Sequence, residues 1–332
     1  MRPMTKASVK TLALSVILLT LAFFSCKKGT QDKTTHQQEK ITVATLKGPA
    51  GIHLVNMMDQ MKNLGPDTLD YQIKNEPMQV RPLLFQEKAT FGVVPTNMAA
   101  ILYNKGVPYQ LAAVPVWGTL YLFGEDERIQ GWDDLKGRKI YLMAKGMTPD
   151  VMFRYLLEKN GLNPREDVEL DYSFPTHIEL ANAVASGKAG LAVISEPMVS
   201  MVMKKNDRIK PLISLNEAWK EQTRMEIPQT ALLVHQDFAN NHPERVKDFL
   251  NAYEQSVQWI NRHPEEGSRS VVSHGILNDT AVARASIPRC NMRFKKARDV
   301  QEQVTSYLEI FYQMNPDIVG GKIPDEGFYF KK

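Results

Sequence analysis

Four times along this chain a β-rich run ends in a short loop carrying Gly, Pro or Thr, and each loop opens directly into a helical pattern. That repeat constrains the fold more than any other feature, because strand–loop–helix units in series require an α/β architecture with helices packed over sheets. The junctions fall at 47–51 after the strand-like run 41–46, at 95–97 after 91–94, at 145–149 after 139–143 and at 195–197 after 190–194. Punctuation residues support each one. Thr96 is expected to cap a helix over 97–104 that stops at Lys105-Gly106, and Thr148 to cap one with Pro149 at its first helical position. Thr176 and Glu179 read as a capping box for a helix ending near Gly187, and a helical run is expected over 52–61. From Pro243 onward, Val246, Phe249, Leu250, Tyr253, Val257 and Ile260 recur on one face of a long amphipathic helix.

Helix N-termini present unpaired N–H groups and the positive end of the helix dipole. In open α/β sheets, ligands sit at the carboxyl ends of the strands, where these four loops lie. Two such pairs on two lobes would face one another across a cleft.

Ahead of this body stands a leader of three zones. Arg2, Lys6 and Lys10 supply positive charge, 12–24 is an uncharged and mostly apolar run, and Ser25 precedes Cys26. An apolar run this short suits a signal-peptide core better than a membrane span of about 20 residues. The arrangement resembles a bacterial lipobox, with Phe23 and Phe24 departing from its usual small or aliphatic residues. It implies cleavage of 1–25 and lipid on Cys26, followed by a polar tether through residue 40 that lacks large apolar residues. The expected location is the cell envelope, outside the cytoplasm and lipid-anchored.

Charge and cysteine count narrow the function. The formal net charge is +4, but removing the leader leaves 38 basic against 37 acidic residues, which gives no electrostatic case for nucleic acid. Cys290 is the only cysteine besides Cys26, so the body must hold together by packing, without a disulfide. The seven histidines, at 36, 53, 177, 235, 242, 263 and 274, show no metal-ligand spacing, and neither a metal nor a cofactor is expected.

Several stretches, in order along the body, resemble the periplasmic substrate-binding proteins of the nitrate, sulfonate and taurine type of ABC importer, a group also described as similar to thiamine-precursor-synthesis proteins. They are VVPTNMAAILYNKG (93–106), VWGTLYLFG (116–124), WDDLKGRKIYLMAKGMTPD (132–150), GLAVISEPM (190–198), IPQTALLV (227–234), IPRCN (287–291) and GGKIPD (320–325). The resemblance implies a two-lobed, type II periplasmic-binding-protein fold, each lobe a mixed sheet flanked by helices, with the ligand cleft between lobes. One lobe is expected from 41–116 plus 234–332 and the other from 117–233, with crossovers near 117–125 and 226–233. Lobe closure would be a hinge motion. The implied role is capture of a small polar organic or anionic ligand, whether a sulfonate, a nitrate-like anion or a thiamine-precursor pyrimidine, by a monomer, for a permease and an ATPase encoded separately.

Candidate ligand contacts follow from both readings. Gly48 and Gly51 allow close backbone approach, and Pro49 stiffens their loop. In the resembled family, anions are commonly held by loop N–H groups and hydroxyls, here those of Gly51, Ile52, Thr96 and Asn97. Trp117 and Gly118 lie at the first crossover, and Gly146, Met147 and Thr148 form the second-lobe loop nearest the expected cleft. Glu196 is placed either to accept from a cationic or amino ligand or to serve its own helix dipole. Gln229, with Thr230, is a weaker candidate on the second crossover; Lys47 and Arg81 could neutralise an anion, but surface cations are mostly solvated and Arg81 ranks low.

Two rival readings share the scaffold. One is a surface lipoprotein with no importer behind it. The other is an enzyme on the same fold, as in the yeast-type thiamine pyrimidine synthases, but their cysteine-rich motif has no counterpart here, and neither G-x-S-x-G, H-E-x-x-H nor a P-loop occurs. The expectation is therefore a binding protein and not an enzyme.

Overall fold

The structure is a computed structural model that describes residues 40–126, 128–143 and 145–331; the leader, Cys26 and the tether lie outside the described residues. Two mixed sheets organise the chain. The first, ordered β12-β5-β11-β4-β1-β3-β2, uses β1 (Lys40–Leu46), β2 (Asn63–Leu64), β3 (Asp67–Lys74), β4 (Phe91–Pro95), β5 (Tyr109–Trp117), β11 (Pro228–His235) and β12 (Met292–Lys296). The second, ordered β10-β6-β9-β7-β8, uses β6 (Leu120–Gly124), β7 (Lys139–Tyr141), β8 (Glu169–Asp171), β9 (Leu191–Ser195) and β10 (Lys210–Ser214).

Parallel pairing concentrates where the sequence places strand–loop–helix units. β1 lies between β3 and β4, parallel to both, and β7 lies between β8 and β9 in the same way. Ile41 to Leu46 are all buried, as helices on both faces of a central parallel strand require. Antiparallel β11 then joins β4 to β5, and antiparallel β6 joins β9 to β10.

The helices of the first lobe are α1 (Pro49–Ile52), α2 (Val55–Gln60), α3 (Pro77–Phe85), α4 (Thr96–Asn104), α9 (Gln236–Asn241), α10 (Pro243–Arg262), α11 (Pro264–Ser273), α12 (Thr280–Ser286) and α13 (Gln301–Met314). Those of the second are α5 (Thr148–Lys159), α6 (His177–Ala185), α7 (Met198–Lys205) and α8 (Leu215–Thr223). The capping box at Thr176 and Glu179 is formed as expected, and α10 buries the whole expected stripe from Val246 to Ile260. Within that stripe, Phe249 stacks on Phe91 of β4 with ring centroids 3.7 Å apart.

The helical run expected over 52–61 is broken between α1 and α2. Its cause is Ser256 of α10, whose hydroxyl donates to the His53 carbonyl at 2.6 Å and accepts from the Met57 N–H at 3.1 Å. A side chain inserted between the His53 C=O and the Met57 N–H replaces the helical bond they would make with each other.

The chain passes between sheets twice, from β5 to β6 and from α8 to β11. On one side the lobes share an apolar core: Trp219 of α8 lies 5.0 Å from Tyr155 of α5 and 5.6 Å from Tyr307 of α13, centroid to centroid. Beneath α6 and α7 a separate apolar cluster, with Leu180, Val184, Val199 and Val202, covers one face of the second sheet, while Leu122, Ile140 and Val193 of that sheet join the shared core.

Candidate functional site

All four expected junctions lie at carboxyl ends of parallel or central strands, and two observations show that the pairs from opposite lobes meet. Gly48 is buried, and a Cβ built on it would lie 3.3 Å from the Pro197 ring of the other lobe. Its φ of 88°, with that neighbour, explains the glycine: a side chain would meet both a left-handed backbone and the opposing loop. Thr148 at the start of α5 donates its hydroxyl to Asn97 Oδ1 at the start of α4, 3.1 Å away. Thr96, Asn97 and Thr148 are all buried.

Neither threonine acts as the cap expected from the sequence. Pro95 and Met147 occupy the cap positions of α4 and α5, and both threonines stand inside their helices. Thr96 donates instead to the Pro228 carbonyl at the head of β11. Asn97 is fixed at both ends, because its Nδ2 donates to the Ile318 carbonyl at 3.2 Å. The N–H groups of Gly51 and Ile52, expected at an anion, are both hydrogen-bonded to the Gly48 carbonyl, at 3.0 and 2.9 Å. Gly146 donates its N–H to Asp150 at 2.8 Å, and Asp150 in turn holds Arg154 and Tyr172, so the loop ahead of α5 is tied down from within its own lobe. Met147 packs partly buried against the core beside it.

The crossovers lie side by side behind this junction. Gln229 gives its whole side-chain amide to Thr119: Oε1 accepts from the Thr119 N–H at 2.7 Å, and Nε2 donates to the Thr119 hydroxyl at 2.9 Å. Thr119 then accepts the Glu196 N–H on its carbonyl at 3.2 Å, linking the crossovers to the 195–197 loop. Gly118 donates to the Ile227 carbonyl at 3.0 Å and lies so close to Asn216 that an added Cβ would be 2.3 Å from its Oδ1. Trp117 is buried with its indole N–H on the Arg293 carbonyl at 2.8 Å and the Arg293 guanidinium 5.7 Å from its ring. Gly118 and Gln229 therefore hold the crossovers together, and Trp117 ties the first of them to β12.

Glu196 is buried, and its peptide bond to Pro197 is cis. One carboxylate oxygen, Oε2, accepts from the Ser200 N–H at 3.1 Å at the start of α7, the helix-dipole role expected of it. The other, Oε1, has no hydrogen-bond partner within the protein, and Arg289 of the first lobe stands 3.7 Å from it. Burial raises the carboxyl above the usual range, opposed by Ser200 and Arg289. The Thr230 hydroxyl is buried without a hydrogen-bond partner, while those of Ser200 and Tyr307 lie beside Glu196 and Thr148. Sequence reasoning ranked Thr230 low and did not single out Ser200, Tyr307, Asn216 or Arg289; Arg289 lies within IPRCN, a stretch that carried the family resemblance.

Outside the junction, Lys204 of α7 pairs with Asp279 at the cap of α12, and His177 lies 3.5 Å from Glu76, so further polar contacts join the lobes at their surface. Lys47 and Arg81 are not at the junction's interior: Lys47 is exposed, and Arg81 lies over Phe85 on the outer face of α3. Two surface concavities, of about 330 Å³ around Gln110 and Tyr329 and about 490 Å³ around Glu125 and Arg208, touch none of these residues. Among the described residues no helix is long and apolar enough to cross a membrane.

Residues 68–267 match the model of a family described as NMT1/THI5 like. A crystal structure of an ABC transporter protein from Parabacteroides distasonis is 30% identical, with a TM-score of 0.77 over 88% of this chain and 99% of that one. The periplasmic aliphatic sulphonate binding protein SsuA of Escherichia coli shares the fold, with a TM-score of 0.70 at 15% identity over 86% of this chain and 96% of that one. The nitrate/nitrite binding protein NrtA of Nostoc sp. is 27% identical over 138 residues, 42% of this chain and 30% of that protein. The chain spans less than half the length of the curated relatives it matches.

Proposed function

This chain belongs to the NMT1/THI5-like family, and from that premise we propose that it is the solute-binding component of an ABC importer, closing two lobes over a small polar ligand. The observation that carries this reading is the meeting of four strand-end loops, with Thr148 bonded to Asn97 and Pro197 against Gly48. A ligand held there would be enclosed by both lobes, and opening would rotate them about the crossovers tied by Thr119 and Gln229. The permease and ATPase would be separate chains reading the closed form. Its relatives carry the names of binding proteins, which supports recognition of a solute in preference to its chemical conversion.

The moving lobe in this proposal is 118–227, because β11 (Pro228–His235), expected in the second lobe as far as 233, lies in the first sheet between β5 and β4; it carries Gly146, Met147, Thr148 and Glu196 to the loops of the first lobe. The protein works outside the cytoplasm as a monomer, cut before Cys26 and held to a membrane by lipid on that cysteine. Gently purified protein, denatured and examined by mass spectrometry, is expected to release one small molecule per chain. Release of none, together with no thermal stabilisation by any small solute, would overturn the reading. Cys26→Ser is expected to free the protein from membranes; a variant that stays bound would disprove the anchor alone.

A further inference from the structure

Strand order sets one contact between the lobes far from the crossovers. In the first sheet β4 and β1 stand between crossover strand β11 and β3, and in the second β9 and β7 stand between crossover strand β6 and β8. At about 4.8 Å per strand, β3 and β8 lie about 14 Å from the crossovers, on the side where the lobes part. Glu76 follows β3 and caps α3 in a box with Gln79, and His177 follows β8 as the first residue of α6. Their side chains face each other between the lobes, His177 Nδ1 standing 3.5 Å from Glu76 Oε2 with 35% and 29% of the two side chains exposed. With that lever arm, about 10° of rotation about the crossovers draws the pair about 2 Å further apart. Opening therefore breaks this contact early.

Lys204–Asp279 and Arg289–Glu196 also join the lobes, but lysine and arginine keep their charge between pH 5 and 8, where an imidazole changes its own. We propose that His177 and Glu76 form a proton-operated latch at the lip of the cleft, holding the lobes closed in mild acid and releasing them near neutrality. The inference rests on the solute-binding reading and assigns a regulation of that site. A neutral imidazole carries its proton on either ring nitrogen, whereas the imidazolium always presents Nδ1–H, with a full charge, toward Glu76. At the first position of α6 the helix dipole opposes that charge whether the lobes are open or closed, and Glu76 offsets it only when they are closed. The closed form thus binds the proton more tightly. By reciprocity the proton favours closure from about pH 6.5, where imidazoles charge, down to about 4.3, where glutamates lose their charge. Neighbouring charges are engaged elsewhere. On α6 Glu179 accepts from the Thr176 hydroxyl at 2.8 Å, Lys205 of α7 donates to Asn182 at 2.9 Å, and β9 beneath carries no charged residue. Lys145 lies over Tyr172 and Arg81 of α3 over Phe85, while under α3 Asp67 pairs with Arg245, and Asp70 with Lys40 beside Lys74.

The test reads closure by energy transfer between dyes on Asn63→Cys and Arg165→Cys, exposed positions on β2 and just ahead of β8, on the side where the lobes part. Cys26→Ser leaves these two as the reactive thiols, because Cys290 is buried. At low ionic strength, after exhaustive dialysis and with no solute added, the ratio of closed to open chains is expected to be about two- to fivefold higher at pH 5.5 than at pH 7.5, the range an exposed ion pair supplies. His177→Gln and Glu76→Gln are each expected to abolish the difference, and His177→Lys, with its fixed charge, to hold the higher ratio at both pH values. Salt at about 0.5 M is expected to shrink the difference seen with His177 and Glu76 in place. The measurement needs no solute, so the solute-binding reading fails or stands separately, on the molecule released at denaturation. Equal ratios at the two pH values with His177 and Glu76 in place overturn the latch. So does a difference that survives in either glutamine variant, in His177→Lys, or undiminished in salt.

Discussion

The Thr148 hydroxyl donates to Asn97 Oδ1 across 3.1 Å, a buried hydrogen bond whose two ends belong to different lobes. Asn97 cannot turn to meet another donor, because its Nδ2 is held by the Ile318 carbonyl at 3.2 Å. Thr148→Val keeps the shape of the side chain and leaves Asn97 Oδ1 buried and unpaired, which costs the closed form about 1–3 kcal/mol. The expected outcome is a larger radius of gyration in small-angle scattering and roughly tenfold or greater weakening of binding of the co-purified solute. Thr148→Ser, which restores the hydroxyl, is expected to behave as the native protein. Equal scattering curves for the Val variant and the native chain would show that this bond does not hold the lobes.

Gly118 is the tightest point of the crossovers. An added Cβ would lie 2.3 Å from Asn216 Oδ1 and 2.7 Å from its Cβ and Cγ, and the same Oδ1 accepts from the Ile227 N–H at 3.4 Å. Asn216 cannot swing away without releasing Ile227, so Gly118→Ala is expected to lower stability by about 2–3 kcal/mol in urea unfolding. Gly131, with nothing within 4 Å of its added Cβ, supplies the control: Gly131→Ala is expected to stay within about 0.5 kcal/mol.

The tie between crossovers offers a distinction between a hinge residue and a ligand contact. Gln229→Met retains length and bulk but leaves the Thr119 N–H without its acceptor at 2.7 Å, a loss of about 1–2 kcal/mol in stability. A weakened affinity with unchanged stability would instead place Gln229 on the ligand. The geometry favours the first outcome, since both polar atoms of the amide already meet Thr119.

The four strand–loop–helix units and the long α10 were legible because their signals are local: Gly, Pro and Thr punctuate them, and apolar residues repeat at the helical period. The partners that decide what those loops do are distant. Thr148 and Asn97 are 51 residues apart, and Thr119 and Gln229 are 110. Local propensity made caps of Thr96 and Thr148, whereas tertiary packing sends the first hydroxyl to β11 and the second to the other lobe. The break after Ile52 has the same origin, because Ser256, which interrupts the ladder, is 203 residues from His53. Glu196 was legible as a polar residue at a helix start, but its ion pair with Arg289 of the first lobe follows only from what the fold places beside it.

Acid should weaken the first lobe through His53. Burial lowers its imidazole pKa from 6.5 to about 3, and its ring sits against Tyr253 with centroids 5.0 Å apart and the Tyr253 hydroxyl 3.3 Å from Nε2. As pH falls below about 6.5 the unfolded chain protonates this histidine while the folded chain does not until near pH 3, so the unfolded state binds more protons through that window. Stability contributed by the neutral buried ring is therefore fully present above 6.5 and is lost as pH falls, by at most about 1.4 kcal/mol per pH unit. His53→Phe removes the titration and keeps an aromatic ring beside Tyr253. Urea unfolding of both chains at pH 7 and pH 5 is expected to show a drop smaller in the variant by about 2 kcal/mol. Comparing the drops cancels any fixed cost of the substitution and the shared titration of carboxylates elsewhere. An equal drop in the two chains would mean that His53 takes up a proton in the folded state as readily as in the unfolded one, which is incompatible with its burial behind α10.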